Sequence, residues 1–145
     1  MEIASHHNFN AMKKVIINVD WDKNYGAIPA NDAVTCAVTG KTLEEIKERM
    51  AFSLPRHLAS MRADGDPVPA EFSGDFELEY HLNTRALLHY TEGIIPRKAI
   101  AKAANINVQQ LTHYASGWRN PRPDMQKRIV DSIHEIGKQL IAISL

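Results

Sequence analysis

Apolar side chains recur at every second position from Val15 to Trp21: Val15, Ile17, Val19 and Trp21 point one way, and Ile16, Asn18 and Asp20 the other. Successive side chains of a strand leave opposite faces, so this period predicts a half-buried strand. "DKN" is a turn cluster and "YGAIP" a short returning strand, which makes residues 14–29 a hairpin. "AVTCAVTG" repeats the alternation through Val34, Cys36 and Val38 and predicts a third strand. At Thr42 the period changes. Thr42 and Glu45 form the S/T-x-x-E capping box of a helix start, and Leu43, Ile46, Met50 and Leu54 fall on one helical stripe. Pro55 lacks an N–H and crowds the preceding turn, so it is expected to kink or end that helix, with Leu58 and Met61 resuming it until Asp64–Gly65. "GDPVP" is loop, and "FELEYHL" alternates again, with Phe76, Leu78, Tyr80 and Leu82 inward and Glu77, Glu79 and His81 outward.

After Asn83 the pattern becomes all-helical. Thr84 is placed to cap a helix reaching about Thr91, "EGII" turns the chain, and Pro96 suits the first turn of a helix ending near Ala104. Asn107 is placed to cap a further helix, in which Leu111 and Tyr114 are spaced to face inward and Gly117 to end it. "RNPRPD" breaks the chain once more, and Ile129, Ile133, Ile136 and Leu140 mark a long final helix. The fold class expected is α+β, a small β-β-β-α-β sheet domain over residues 13–82 followed by an all-α domain over 83–145. Residues 1–12 show no periodicity and are expected to be a flexible extension, since "MKKVIINVDWD" from Met12 reads like a natural start.

A chain of 145 residues with 44% hydrophobic and 23% charged residues has the composition of a soluble globular protein. No run approaches the roughly 20 apolar residues of a membrane span, and the amino terminus lacks a signal peptide's apolar core, so a cytoplasmic location is expected. The lone Cys36 sits in an apolar alternation and reads as a buried thiol. Net charge is zero, yet residues 1–82 carry 8 Lys+Arg against 13 Asp+Glu, a net of −5, and residues 83–145 carry 9 against 4, a net of +5. Such a split suggests two modules with different partners, the basic one suited to a polyanion.

The helix after Asn107 has an unusual outer face. Where a merely solvated helix shows Lys and Glu, "INVQQLTHYASGW" shows Gln109, Gln110, Thr112 and His113, uncharged groups that donate and accept hydrogen bonds. The longer run "IAKAANINVQQLTHYASGWRNPRP" has helix-turn-helix spacing: Ala101 is small at the helix crossing, Asn105 tolerates a left-handed turn, and Ile106 plugs the space between the helices. It resembles the lambda-repressor-like (Xre-type) family across roughly residues 84–140, with "SGWRNP" similar to that family's "NGKRxP" exit, although Trp118 replaces the usual Lys. The resemblance implies that the second helix enters the DNA major groove. Val108, Gln109, Thr112 and His113 would then face base edges, and Gln110 a base or a phosphate; Gln can bond adenine N6/N7. Lys98, Lys102, Asn107, Arg119 and Asn120 would hold phosphates.

In the acidic half, "VIINVDWDKNYGA", "VTGKTLEEI" and "HLASMRADGDPVP" resemble the HicB-like antitoxin domain, a partial RNase H-type fold, with "NDAVTC" in place of the family's "PGC" segment. The resemblance implies an antidote to a HicA-like, mRNA-cleaving toxin that also represses its own operon through a DNA-binding tail. Asp20, Asp22 and Glu44 are the acids expected to meet the basic toxin, where charge complementarity speeds association. A two-metal nuclease needs several converging carboxylates; Asp20 and Asp22 with Glu45 or Glu48 do not supply them on patterned strands, so no catalysis is expected. The histidines show no ligand spacing, and no metal or other cofactor is expected. The competing function is a stand-alone regulator whose amino-terminal domain dimerises or senses a ligand. Either way a homodimer on double-stranded DNA is expected, paired through the sheet edge or the final helix. The final helix is the lesser choice because Ile141 and Leu145 are expected to finish the helical core.

Overall fold

The alternating run that opens the chain pairs as its spacing requires. In the computed structural model, which describes residues 12–145, strand β1 (Lys13–Asp22) turns at Lys23, whose φ of 69° is left-handed, into the antiparallel β2 (Asn24–Pro29). The register places Val19 against Ala27 and Trp21 against Tyr25. Apart from Met12, the expected amino-terminal extension lies outside the described residues. The chain divides into two compact units between His81 and Leu82.

The first unit is a mixed four-stranded sheet in the order β3-β2-β1-β4, with β3 at Val38–Gly40 antiparallel to β2 and β4 at Phe76–Leu82 beside β1. Helix α1 (Leu43–Ala63) covers one face. Val15, Ile17, Val19, Tyr25, Ala27 and Val38 from the strands and Ile46, Met50, Leu54 and Leu58 from the helix are buried. The third strand is shorter than the alternation predicts. Val34, Cys36 and Val38 are all buried, but the ladder with β2 starts only at Val38. Continued past Ala27 it would meet Pro29, which has no N–H to give. Pro55 also behaves differently from expectation: α1 runs through it to Ala63. The proline ring is exposed, so its bulk meets solvent rather than the sheet, and the helix carries on past the one donor it lacks. Half of the capping box forms: the Glu45 N–H donates to Thr42 Oγ1 at 3.1 Å, while Glu45 Oε1 accepts from the Lys41 N–H at 3.3 Å, one residue before the Thr42 N–H a full box uses. Asp64 closes the helix and Gly65 takes a φ of 77°.

The second unit holds α2 (Thr84–Thr91), α3 (Arg97–Ala104), α4 (Val108–Ser116) and α5 (Pro123–Ile141). The cap of α2 is Asn83 rather than Thr84: its side chain accepts from the Ala86 N–H at 2.9 Å, and Thr84 is the first helical residue, buried. Pro96 likewise stands one position before α3, as its N-cap. Leu88, Ile100, Ala101, Leu111, Tyr114, Ala115 and Ile129 form the core, with Ile106, Met125, Ile133 and Ile136 packed against it. The end of α5 overturns an expectation. Ile141 and Leu145 do not finish this core; Ile141 is 87% exposed and Leu140 before it 60%, because the apolar stripe outruns the surface it covers.

Candidate nucleic-acid interface

Four residues fix how α4 leaves α3. Asn105 takes the left-handed conformation, φ 57° and ψ 48°, and its N–H donates to the Lys102 carbonyl at 3.2 Å. The Ile106 N–H reaches back to the Ala101 carbonyl at 3.0 Å. This pair of bonds is a Schellman ending, which satisfies carbonyls a helix otherwise leaves open and brings the apolar Ile106 onto the core. Asn107 then starts α4, its Oδ1 accepting from the Gln109 N–H at 2.7 Å. Arg128, from α5, donates to the Ala104 carbonyl at 2.6 Å and the Asn105 carbonyl at 3.3 Å, placing a cation at the negative end of α3. The sequence pattern marks Arg128 only as one more basic residue; its role needs a contact across more than twenty positions.

On α4, Leu111, Tyr114 and Ala115 face inward. Val108, Gln109, Thr112 and His113 recur one and four residues apart, which places them on one outer stripe. Val108 is 40% exposed, Gln109 is exposed, and Thr112 and His113 are half-buried. Gln110 stands beside that stripe, its amide donating to the Tyr114 hydroxyl at 2.8 Å. Thr112 gives its hydroxyl proton to the Val108 carbonyl at 3.2 Å, leaving its methyl group and oxygen lone pairs outward. The Gln109 amide nitrogen lies 3.1 Å from His113 Nε2. A carboxamide has two N–H donors; giving one to the imidazole leaves one N–H and Oε1 side by side, the pair that adenine N7 and N6 require.

Two neighbours of this stripe carry no signal in the helical spacing. Trp118 is 67% exposed and meets the His113 ring edge-on at 4.3 Å between centroids, so it braces the imidazole from the far end of α4. The Arg119 guanidinium lies 5.3 Å from the Trp118 ring. The Arg85 guanidinium, from α2, lies against Gly117, where a β-carbon would stand. Lys98 and Lys102 are exposed four residues apart on α3, and Arg119 and Asn120 are exposed after α4. Asn107 has spent its oxygen on the cap but keeps its amide hydrogens for a further acceptor.

The acidic candidates are arranged otherwise. Asp20 and Asp22 are exposed on the sheet face that α1 leaves open. Asp20 Oδ1 accepts from the Trp21 N–H at 2.6 Å. Glu44 is exposed in the first turn of α1, in the other layer, where an acid suits the positive end of the helix. The fold therefore brings Asp20 and Asp22 together and leaves Glu44 apart. On the open face Lys14 pairs with Glu79 at 3.6 Å and His81 with Glu79 at 2.6 Å. The His81 hydrogen bond, with Lys14 adding to it, holds the Glu79 carboxyl below the usual range. Among the described residues no three His, Cys, Asp or Glu gather to hold a metal ion, and no helix is long and apolar enough to cross a membrane. No protein-family model matches the chain, and comparisons with curated proteins and with solved structures return no match.

Proposed function

We propose that this protein is an antitoxin of the HicB type that represses transcription: α3 and α4 act as a helix-turn-helix on double-stranded DNA, and the acidic unit neutralises a basic, HicA-like toxin. One observation carries the DNA-binding part. An outer stripe of uncharged hydrogen-bonding groups on α4 is flanked by exposed cations on α3 and after α4. Uncharged groups with paired donors and acceptors read base edges, whereas Lys98, Lys102 and Arg119 are suited to phosphates, which set register without reading sequence. The acidic unit, net −5, has Asp20 and Asp22 on an open sheet face from which they would steer a basic protein. The reading involves no catalytic step and no cofactor.

A second reading, a stand-alone regulator, draws on the separation of Glu44 from Asp20 and Asp22, since a docking face is better served by acids on one surface. Two experiments separate the parts. In gel shifts on the promoter of its own gene, Gln109→Ala is expected to cost about 1–3 kcal/mol on the cognate site and to relax base preference there. Equal losses on cognate and random DNA would sink base reading. Co-expression with the protein encoded next door is expected to restore growth, and Asp20→Lys with Asp22→Lys to slow association more than it speeds dissociation. If no neighbouring gene product binds, the stand-alone regulator takes its place.

A further inference from the structure

We infer, on the DNA-binding reading of α4, that His113 is a positioning residue: it makes Gln109 a reader of adenine rather than guanine, and Trp118 holds its ring in place. The Gln109 amide nitrogen, not its oxygen, lies 3.1 Å from His113 Nε2. A carboxamide nitrogen can only donate, so Nε2 accepts and the proton of the neutral imidazole is on Nδ1. The bond made by one ring nitrogen fixes the tautomer at the other. Gln109 then presents one N–H and Oε1 outward, which match adenine N7 and N6. A proton on Nε2 would reverse the pair. The ring would call for Oε1, the carboxamide would turn round, and its two N–H groups would face outward. Those two donors match guanine, whose major-groove edge offers O6 and N7 as acceptors. The position of a proton on His113 therefore decides between two purines.

Such a device works only if the imidazole cannot swing away, and the end of α4 prevents that. Gly117, at φ 81°, turns the chain so that Trp118 comes back beside the last turn of the helix. Its indole meets the His113 ring at 83°, with 4.3 Å between centroids. The segment carrying the indole is tied to the residue it braces. The His113 carbonyl accepts from the Ser116 hydroxyl at 3.0 Å and from the Arg119 N–H at 3.3 Å. Ser116 Oγ in turn accepts from the Trp118 N–H at 3.3 Å. Trp118 is thus held at both of its peptide neighbours and at its own N–H, although its side chain is left in water.

Two measurements on the full chain test this, one of them without DNA. In long-range proton–nitrogen correlation spectra of the free protein in mildly alkaline buffer, His113 should carry its proton on Nδ1 and none on Nε2. The opposite tautomer would overturn the inference. In selection from a pool of random duplexes, Gln109→Ala first marks the base position that Gln109 reads, as the one whose preference flattens. There the wild type should favour adenine over guanine by about tenfold or more. His113→Phe keeps an aromatic ring against Trp118 but offers no acceptor, so the preference should fall to about twofold or less. His113→Glu supplies an acceptor and no donor; it should restore the adenine preference while binding every duplex more weakly. A merely structural role for His113 predicts the same flattening in both variants. Trp118→Leu, which frees the ring, should lower the preference severalfold with unchanged far-UV circular dichroism. A preference for adenine that survives in His113→Phe, or is not rescued by His113→Glu, overturns the inference and leaves base reading in place. If Gln109→Ala flattens no position, base reading fails and the role of His113 falls with it.

Discussion

Gly117 holds a conformation that few side chains accept, φ 81°, directly under the Arg85 guanidinium. Gly117→Ala is therefore expected to destabilise the protein by about 1–2 kcal/mol, the cost of a left-handed L-residue, before any displacement of Arg85. Denaturant melts check the figure; no loss would mean that the chain relaxes around the turn. Cys36 offers a second residue-scale test. Burial raises its thiol pKa, so the reactive thiolate is suppressed. A thiol reagent at neutral pH should label it slowly in native protein and fast in denaturant. The apolar alternation around Cys36 makes that burial legible in the sequence. The partners of Gln109 and Gln110 are not legible there: both are polar positions on one helix, and only the placement of Tyr114 and His113 decides that one amide turns back and the other stays outward.

Elements are readable from the sequence where local bonds decide them. The Thr42 cap, the Asn107 cap and the left-handed Asn105 each depend on residues within a few positions, and each forms. Asn107→Ala should then cost about 1 kcal/mol, whereas Asn105→Gly should be nearly neutral or stabilising because glycine takes φ 57° without strain. Thermal melts that rank the two the other way round would contradict the turn described here. Sequence spacing misleads where distant surroundings decide. Pro55 breaks a helix only if its surroundings cannot accommodate it, and an exposed ring on a helix anchored to the sheet by Met50, Leu54 and Leu58 makes it tolerable. A periodic stripe such as Ile129 to Leu140 says which side of a helix is apolar but not where its cover stops, and the cover stops before Leu140.

At the scale of the whole chain, each unit carries one tryptophan. Trp21 meets Tyr25 edge-on at 4.9 Å in the first unit, and Trp118 borders α4 in the second. With Trp21→Phe or Trp118→Phe the remaining fluorophore reports one unit at a time. Operator DNA is expected to change the Trp118 emission and leave that of Trp21 unaltered; the reverse would move the nucleic-acid surface to the other unit. The charge split adds a salt dependence. If Lys98, Lys102 and Arg119 each hold a phosphate, as the proposed function requires, log K should fall against log salt with a slope of about −3 per protomer. Lys98→Ala should reduce that slope by about 1 on every sequence alike.

The turn between α3 and α4 is secured by Asn105, Asn107, Ile106 and Arg128, and none of these belongs to the outer stripe of α4. Val108, Gln109, Thr112 and His113 are correspondingly absent from the buried core. Arg128 apart, the residues that hold the turn and those proposed to read DNA are separate letters of the same thirteen-residue stretch from Asn105 to Gly117. A randomised library confined to those four outer positions should yield mostly folded members, and selection on unrelated promoters should retrieve new specificities without compensating changes elsewhere. The scaffold would serve as a chassis on which the address is rewritten while the hardware beneath it is left alone.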